Sequence, residues 1–163
     1  MKQIQFHTPA EHVVNNKTRP LELHIVHQKK GETGLNQLAI VAIQFYIQQD
    51  GGFANSFLDS LGWDNLPSAA NQANALKANV DLNKLTEALK GEYFTYQGSL
   101  TAPACDETVK WFVMKDPLGI TQQQFDKVKA LFSGNTAFAA GNGNNRVVQA
   151  TNGRSVFWFR KRL

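Results

Sequence analysis

Four histidines occur in the chain, and two of them sit in alternating segments that could aim them at one point. His7 closes the run Gln3-Ile4-Gln5-Phe6-His7, in which Gln3, Gln5 and His7 share one face and Ile4 and Phe6 the other. His24 lies in a second such run, where Leu21, Leu23 and Ile25 face one way and Glu22, His24 and Val26 the other. Neighbouring strands of this kind would bring two imidazoles and their polar companions into one pocket. A metal-binding histidine needs such a companion, because an acceptor on its second nitrogen fixes the tautomer and the ring orientation. On spacing alone, two strand histidines are more often ordinary part-buried residues than ligands, so both readings stand at this point.

The elements that would position these residues are mostly strands. Residues 2–7 form the first, stopped by Thr8-Pro9 because proline lacks a donor and biases its predecessor away from helix. Asn15-Asn16-Lys17 is a turn signal. Residues 21–28 form the next strand, and residues 37–47 another, apolar on both faces and therefore expected at the centre of a sheet. After Gly51-Gly52, the spacing of Phe53, Phe57, Leu58 and Leu61 predicts a short helix over 53–61. A loop follows over 67–78 and a helical turn within 83–89. Strands are expected at 93–96 and 109–114, around a loop from Gly98 to Pro103. Thr121 with Gln124 reads as a capping box opening a helix to about residue 132. A loop over 134–145 and a last strand over 155–160 close the chain. The expected fold class is mainly β (α+β), one domain over 1–163.

The 163 residues, 42% hydrophobic and 18% charged, suit one such domain. Seventeen basic against thirteen acidic residues leave a formal charge of +4. The basic residues are scattered apart from the tail Arg160-Lys161-Arg162, which argues for solubility and against a nucleic-acid partner. The longest apolar run, residues 38–43, is too short to span a bilayer, so no membrane partner is expected. Cys105 is the single cysteine, which excludes an internal disulfide. No signal segment follows Met1, so a cytoplasmic location is expected if Met1 is the true start.

The surrounding residues resemble a known family. Gln3-Ile-Gln-Phe-His-Thr-Pro-Ala-Glu-His12 and Glu22-Leu-His-Ile-Val-His27 resemble the ligand strands of bacterial-type α-carbonic anhydrases. Tyr96-Gln-Gly-Ser-Leu-Thr-Ala-Pro-Ala-Cys105 is similar to that family's YxGSLTTPPC loop, and Val109-Lys-Trp111 to the strand after it. Asn144-Asn145-Arg146, Gln149 and Asn152-Gly153-Arg154 resemble its NNRPxQ-xNGR segment. The four matches run in order across nearly the whole chain.

The resemblance implies the α-carbonic anhydrase fold, a central twisted and mostly antiparallel sheet with short peripheral helices. It implies reversible hydration of carbon dioxide to bicarbonate at Zn²⁺. His7 and His24 fall on the second and third zinc ligands, and Glu22 on the carboxylate that receives the other ring N–H of His24. Thr101 matches the threonine that accepts a hydrogen bond from zinc-bound hydroxide, and Glu11 the carboxylate that orients it. Gln3 matches the support of the first ligand; His12, Tyr96 and Asn144 match the hydrogen-bond network beneath the site. Val26, Ile40, Leu100 and Trp111 match the apolar wall beside carbon dioxide.

Several positions depart from the family pattern. Gln5 stands where the first zinc histidine belongs, and a neutral amide oxygen is a weaker zinc donor than imidazole, so lower metal affinity and reduced activity are expected. Ala102, Ala104 and Val147 replace a threonine and two prolines. Family members also carry a long region before the first ligand strand. Without it, uncovered sheet edges are expected, and with them a homo-oligomer or a complementing chain; the alternative to catalysis is an inactive binding or assembly protein, or a truncated gene product. Relatives are typically exported, whereas the chain as written begins on the ligand strand.

Overall fold

The computed structural model describes residues 1–35, 37–67, 72–76, 79–133 and 143–160. Its framework is a mixed, mostly antiparallel sheet in the order β1-β4-β5-β7-β6-β9, with β8 also on β5. The strands are β1 (Gln3–His7), β4 (Leu21–Gln28), β5 (Leu38–Ile47), β6 (Tyr93–Gly98), β7 (Val109–Met114), β8 (Leu118–Ile120) and β9 (Phe157–Phe159). A separate hairpin joins β2 (Val13–Val14) to β3 (Lys17–Thr18). Its turn is Asn15-Asn16, both at positive φ, which asparagine tolerates better than most residues. The helices are α1 (Ser56–Ser60), α2 (Thr86–Leu89) and α3 (Gln122–Phe132). No described helix is long and apolar enough to cross a membrane.

Strand β5 is central, as its two-sided apolar pattern requires: antiparallel to β4 on one side, parallel to β7 and β8 on the other. The period of two then divides the sheet into two faces. Leu21, Leu23, Ile25, Ile43 and Phe45 face the helices and pack with Phe57, Leu58, Trp63 and Val128. Val26, Ile40, Ala42, Trp111 and Val113 lie on the opposite face in a second cluster. Register aligns that face in rows. Gln3, Val26, Ile40, Trp111 and Tyr96 form one; Gln5, His24, Ala42, Val113 and Phe94 the next; His7, Glu22 and Gln44 the third.

Three local expectations differ from the structure. The helix expected over 53–61 begins only at Ser56, because Asn55 is its N-cap and accepts from the Phe57 and Leu58 N–H groups, leaving Phe53 exposed. The strand expected over 155–160 contracts to Phe157–Phe159 and lies at the sheet edge, with all three side chains exposed. The short parallel strand β8 was not foreseen. Half of the expected loop over 67–78 and most of that over 134–145 lie outside the described residues, as do Lys161 and Arg162 of the basic tail.

The capping box at Thr121 and Gln124 is present, and Gln124 does more than cap. Its buried amide accepts from the Asn55 N–H at 2.9 Å and donates to Asp59 Oδ1 at 2.7 Å, tying α3 to α1. Gln124→Leu removes both bonds from partners that solvent can still reach, half-buried Asn55 and exposed Asp59, and chemical denaturation should show a loss of about 1–2 kcal/mol. The exposed Gln122→Leu should cost less than about 0.5 kcal/mol.

Candidate functional site

His7 ends β1, and His24 lies on β4 within the row that also carries Gln5. Antiparallel pairing of β1 with β4 brings the two imidazoles together, ring centroids 4.5 Å apart. Beneath them lies Glu22, fully buried, on the same face of β4 as His24. Glu22 Oε1 accepts from His24 Nε2 and His12 Nδ1, each at 2.6 Å. Its Oε2 accepts from the His12 backbone N–H at 3.1 Å and from Gln44 Nε2 at 3.2 Å. Desolvation, the largest influence on this carboxyl, pushes its pKa upward. The adjoining His12, its hydrogen bond and that of His24 outweigh burial and hold Glu22 well below the usual carboxylate range. An ionised carboxylate can only accept, so His24 carries its proton on Nε2 when neutral and leaves the Nδ1 lone pair open.

The network continues outward. His12 Nε2 shares a 2.7 Å hydrogen bond with the Tyr96 hydroxyl, and burial raises that phenol above its ordinary range. Gln44 also donates to the His12 carbonyl at 2.6 Å.

A second carboxylate, Glu11, reaches the site from the loop between β1 and β2. Its Oε1 accepts from the Arg146 backbone N–H at 2.6 Å and lies 3.3 Å from His7 Nδ1. Its Oε2 lies 3.8 Å from His24 Nδ1. Desolvation raises the Glu11 pKa, while the Arg146 hydrogen bond, the nearby His24 and the Thr101 hydroxyl oppose the rise. Asn144 fastens the end of β1 from the far end of the chain: its Oδ1 accepts from the Thr8 N–H and its Nδ2 donates to the Phe6 carbonyl, both at 2.9 Å. Gly143 permits that approach, since a Cβ there would sit 1.7 Å from the Thr8 carbonyl oxygen.

Of the residues singled out in the sequence, His7, His24, Glu22, His12, Tyr96, Glu11, Thr101 and Asn144 therefore meet in one cluster. Gln5 stands beside His24 in register, half-buried. Val26, Ile40 and Trp111 are buried in one row, with Leu100 packed against their cluster. Gln3 lies exposed at the start of β1, with no hydrogen bond to Gln5 among the described residues. A cavity of about 540 Å³ opens on the Glu11 side, lined in part by His12, Tyr96, Thr101, Trp111 and Arg146. Sequence reasoning missed two donors. Gln44 had a signal, as the lone amide within an apolar strand; the Arg146 contribution is a backbone N–H and had none.

The donor chemistry fits a metal ion. His7 Nδ1 and Nε2 and His24 Nδ1 are buried without a hydrogen-bond partner, a costly state that a cation would relieve. Burial, then the adjacent His24, lowers the His7 pKa from 6.5 to about 4, so the ring is neutral at pH 7, as a ligand must be. Between pH 6.5 and 4 the unfolded chain binds a proton at His7 that the folded chain refuses. Stability of the metal-free protein therefore falls as pH drops through that window, by on the order of 3 kcal/mol from this group. Glu11, with its raised pKa, offsets part of the loss. In chelator-treated protein, His7→Gln should flatten the dependence of the urea midpoint on pH between 6.5 and 4; an unchanged slope contradicts the assignment.

A family model for eukaryotic-type carbonic anhydrases matches residues 1–160. A carbonic anhydrase of Klebsiella pneumoniae is 35% identical over 157 residues, covering 96% of this chain and 56% of its own length. Dioscorin DB3S of Dioscorea polystachya is 33% identical over 160 residues, covering 98% of this chain and 54% of its own. The α-carbonic anhydrase of Thermovibrio ammonificans, solved with the inhibitor sulfanilamide, superposes with a TM-score of 0.76 at 34% identity, over 94% of this chain and 60% of that one. The chain thus spans little more than half the length of these relatives.

Proposed function

The chain belongs to the eukaryotic-type carbonic anhydrase family and has the α-carbonic anhydrase fold, and from that premise we propose that it interconverts carbon dioxide and bicarbonate at a metal held by His7 and His24. The observation that carries this reading is the pair of buried imidazoles with open nitrogens, one of them fixed in its tautomer by Glu22. Zn²⁺ would supply there a Lewis acid that lets water lose a proton near neutral pH, the behaviour for which carbonic anhydrases are the standard example.

The chain's own residues do the rest. Glu22 holds His24 so that Nδ1, and not Nε2, faces the cluster. Thr101, whose hydroxyl lies close enough to the Glu11 carboxylate to influence its charge, would accept one hydrogen bond from the attacking oxygen and set its direction. Val26, Ile40, Leu100 and Trp111 offer an apolar surface that suits carbon dioxide better than water. The amide of Gln5, in place of an imidazole, weakens the hold on zinc and lowers the rate.

Stopped-flow hydration of carbon dioxide by the zinc-loaded protein tests the proposal. A sulfonamide-sensitive rate above buffer is expected, reduced on the order of 10²-fold in kcat/KM by Thr101→Ala and raised by Gln5→His. A rate equal to buffer and indifferent to sulfonamide rejects it.

One observation favours a second reading, that of an assembly module. Phe157, Trp158 and Phe159 on edge strand β9 are between 42% and 57% exposed, although Tyr93 stacks on Phe159 and Arg160 lies over Trp158. Such an edge can take another strand, from a second copy or a complementing chain. Native mass and zinc content measured together discriminate: a monomer holding one zinc counts against assembly, and a zinc-poor oligomer supports it.

A further inference from the structure

Two carboxylates are buried among the site histidines, and they are treated differently. Glu22 accepts four hydrogen bonds, from His24, from the His12 ring and backbone, and from Gln44. Glu11 is satisfied on one side alone. Its Oε1 takes the Arg146 N–H, while its buried Oε2 has no hydrogen-bond partner. That open oxygen faces His24 Nδ1 at 3.8 Å, and Oε1 lies 3.3 Å from His7 Nδ1. The Glu11 and His24 side chains are 3% and 1% exposed, so both groups are withdrawn from bulk solvent. His7, Glu11 and His24 can each offer one ligand atom with all three atoms within 4.8 Å of one another.

We infer that Glu11, and not Gln5, completes the protein ligand set, giving a two-imidazole, one-carboxylate centre for a divalent first-row transition cation. The inference rests on the metal-binding reading above and changes which atoms hold the ion. Charge decides between the candidates. Glu22 offsets a bound dication only through the His24 ring, whereas a carboxylate in direct contact removes one unit of the excess and at the same time fills its own unmet acceptor capacity. The other grouping of this kind, His12, Glu22 and His24, is closed to a metal because its atoms already share protons at 2.6 Å. Glu11 keeps its Arg146 bond on Oε1 while Oε2 turns to the cation.

Competitive chelator titration of the metal-stripped protein with Zn²⁺ and with Co²⁺ measures the affinity, with circular dichroism confirming that each variant is folded. Glu11→Gln should lower affinity by about tenfold or more and alter the Co²⁺ visible spectrum. Gln5→Ala should stay within about threefold and leave the spectrum unchanged. The reverse pattern overturns this ligand set and leaves the metal-dependent function intact. Failure of the wild type to bind either ion, with no difference in His24→Ala, overturns both. A wild-type crystal soaked in Co²⁺ gives an answer free of any folding defect. An anomalous peak about 2.0–2.2 Å from a Glu11 oxygen is expected, and a peak at the Gln5 amide instead refutes the assignment.

Discussion

A negative charge sealed inside the sheet organises everything around it. Glu22 is fully buried, and ionisation there is sustained only while donors from three separate segments reach it: His24 on its own strand, Gln44 on β5, and His12 from the loop after β1. Withdrawing any donor leaves a charge short of partners in a medium that solvates it poorly. The carboxylate therefore does two things at once. It pins the relative positions of β4, β5 and the loop, and it dictates which nitrogen of His24 is free. Structure and chemistry at this point share one hydrogen-bond set.

The faces of the sheet make this polar island possible. Period-two alternation sends Leu21, Leu23 and Ile25 to the helices and Glu22, His24 and Val26 to the other side, so a single strand supplies both a core and a site. Across the sheet, the row holding Val26, Ile40 and Trp111 is apolar at its centre, and the row holding His7, Glu22 and Gln44 is polar. The boundary between them coincides with the His24 row.

Legibility in the sequence followed the same physics. Strand β4 was readable because Leu21, Leu23 and Ile25 alternate with Glu22 and His24, and the Thr121 capping box was readable because it is a local pattern of two side chains. The family motifs placed the histidines and both carboxylates. What escaped had no local signature. Strand β8 is three residues long around a glycine, so alternation cannot show. The β9 sequence Phe157-Trp158-Phe159 suggests burial by composition, yet its exposure is set by edge position, a property of topology. Phe53 matched helical spacing but fell outside the helix because Asn55 is the better N-cap.

The contacts that complete the site span almost the entire polypeptide. Arg146 meets Glu11 across 135 positions, and Asn144 meets Phe6 across 138. During synthesis, at roughly 5–20 residues per second, the strand bearing His7 would leave the ribosome on the order of ten seconds before its clasp exists. Throughout that interval the nascent sheet must keep its imidazoles and carboxylates hydrated. Closure of the pocket is therefore a late, whole-chain event, and a ribosome stalled short of Gly143 would release a sheet with an unfinished floor.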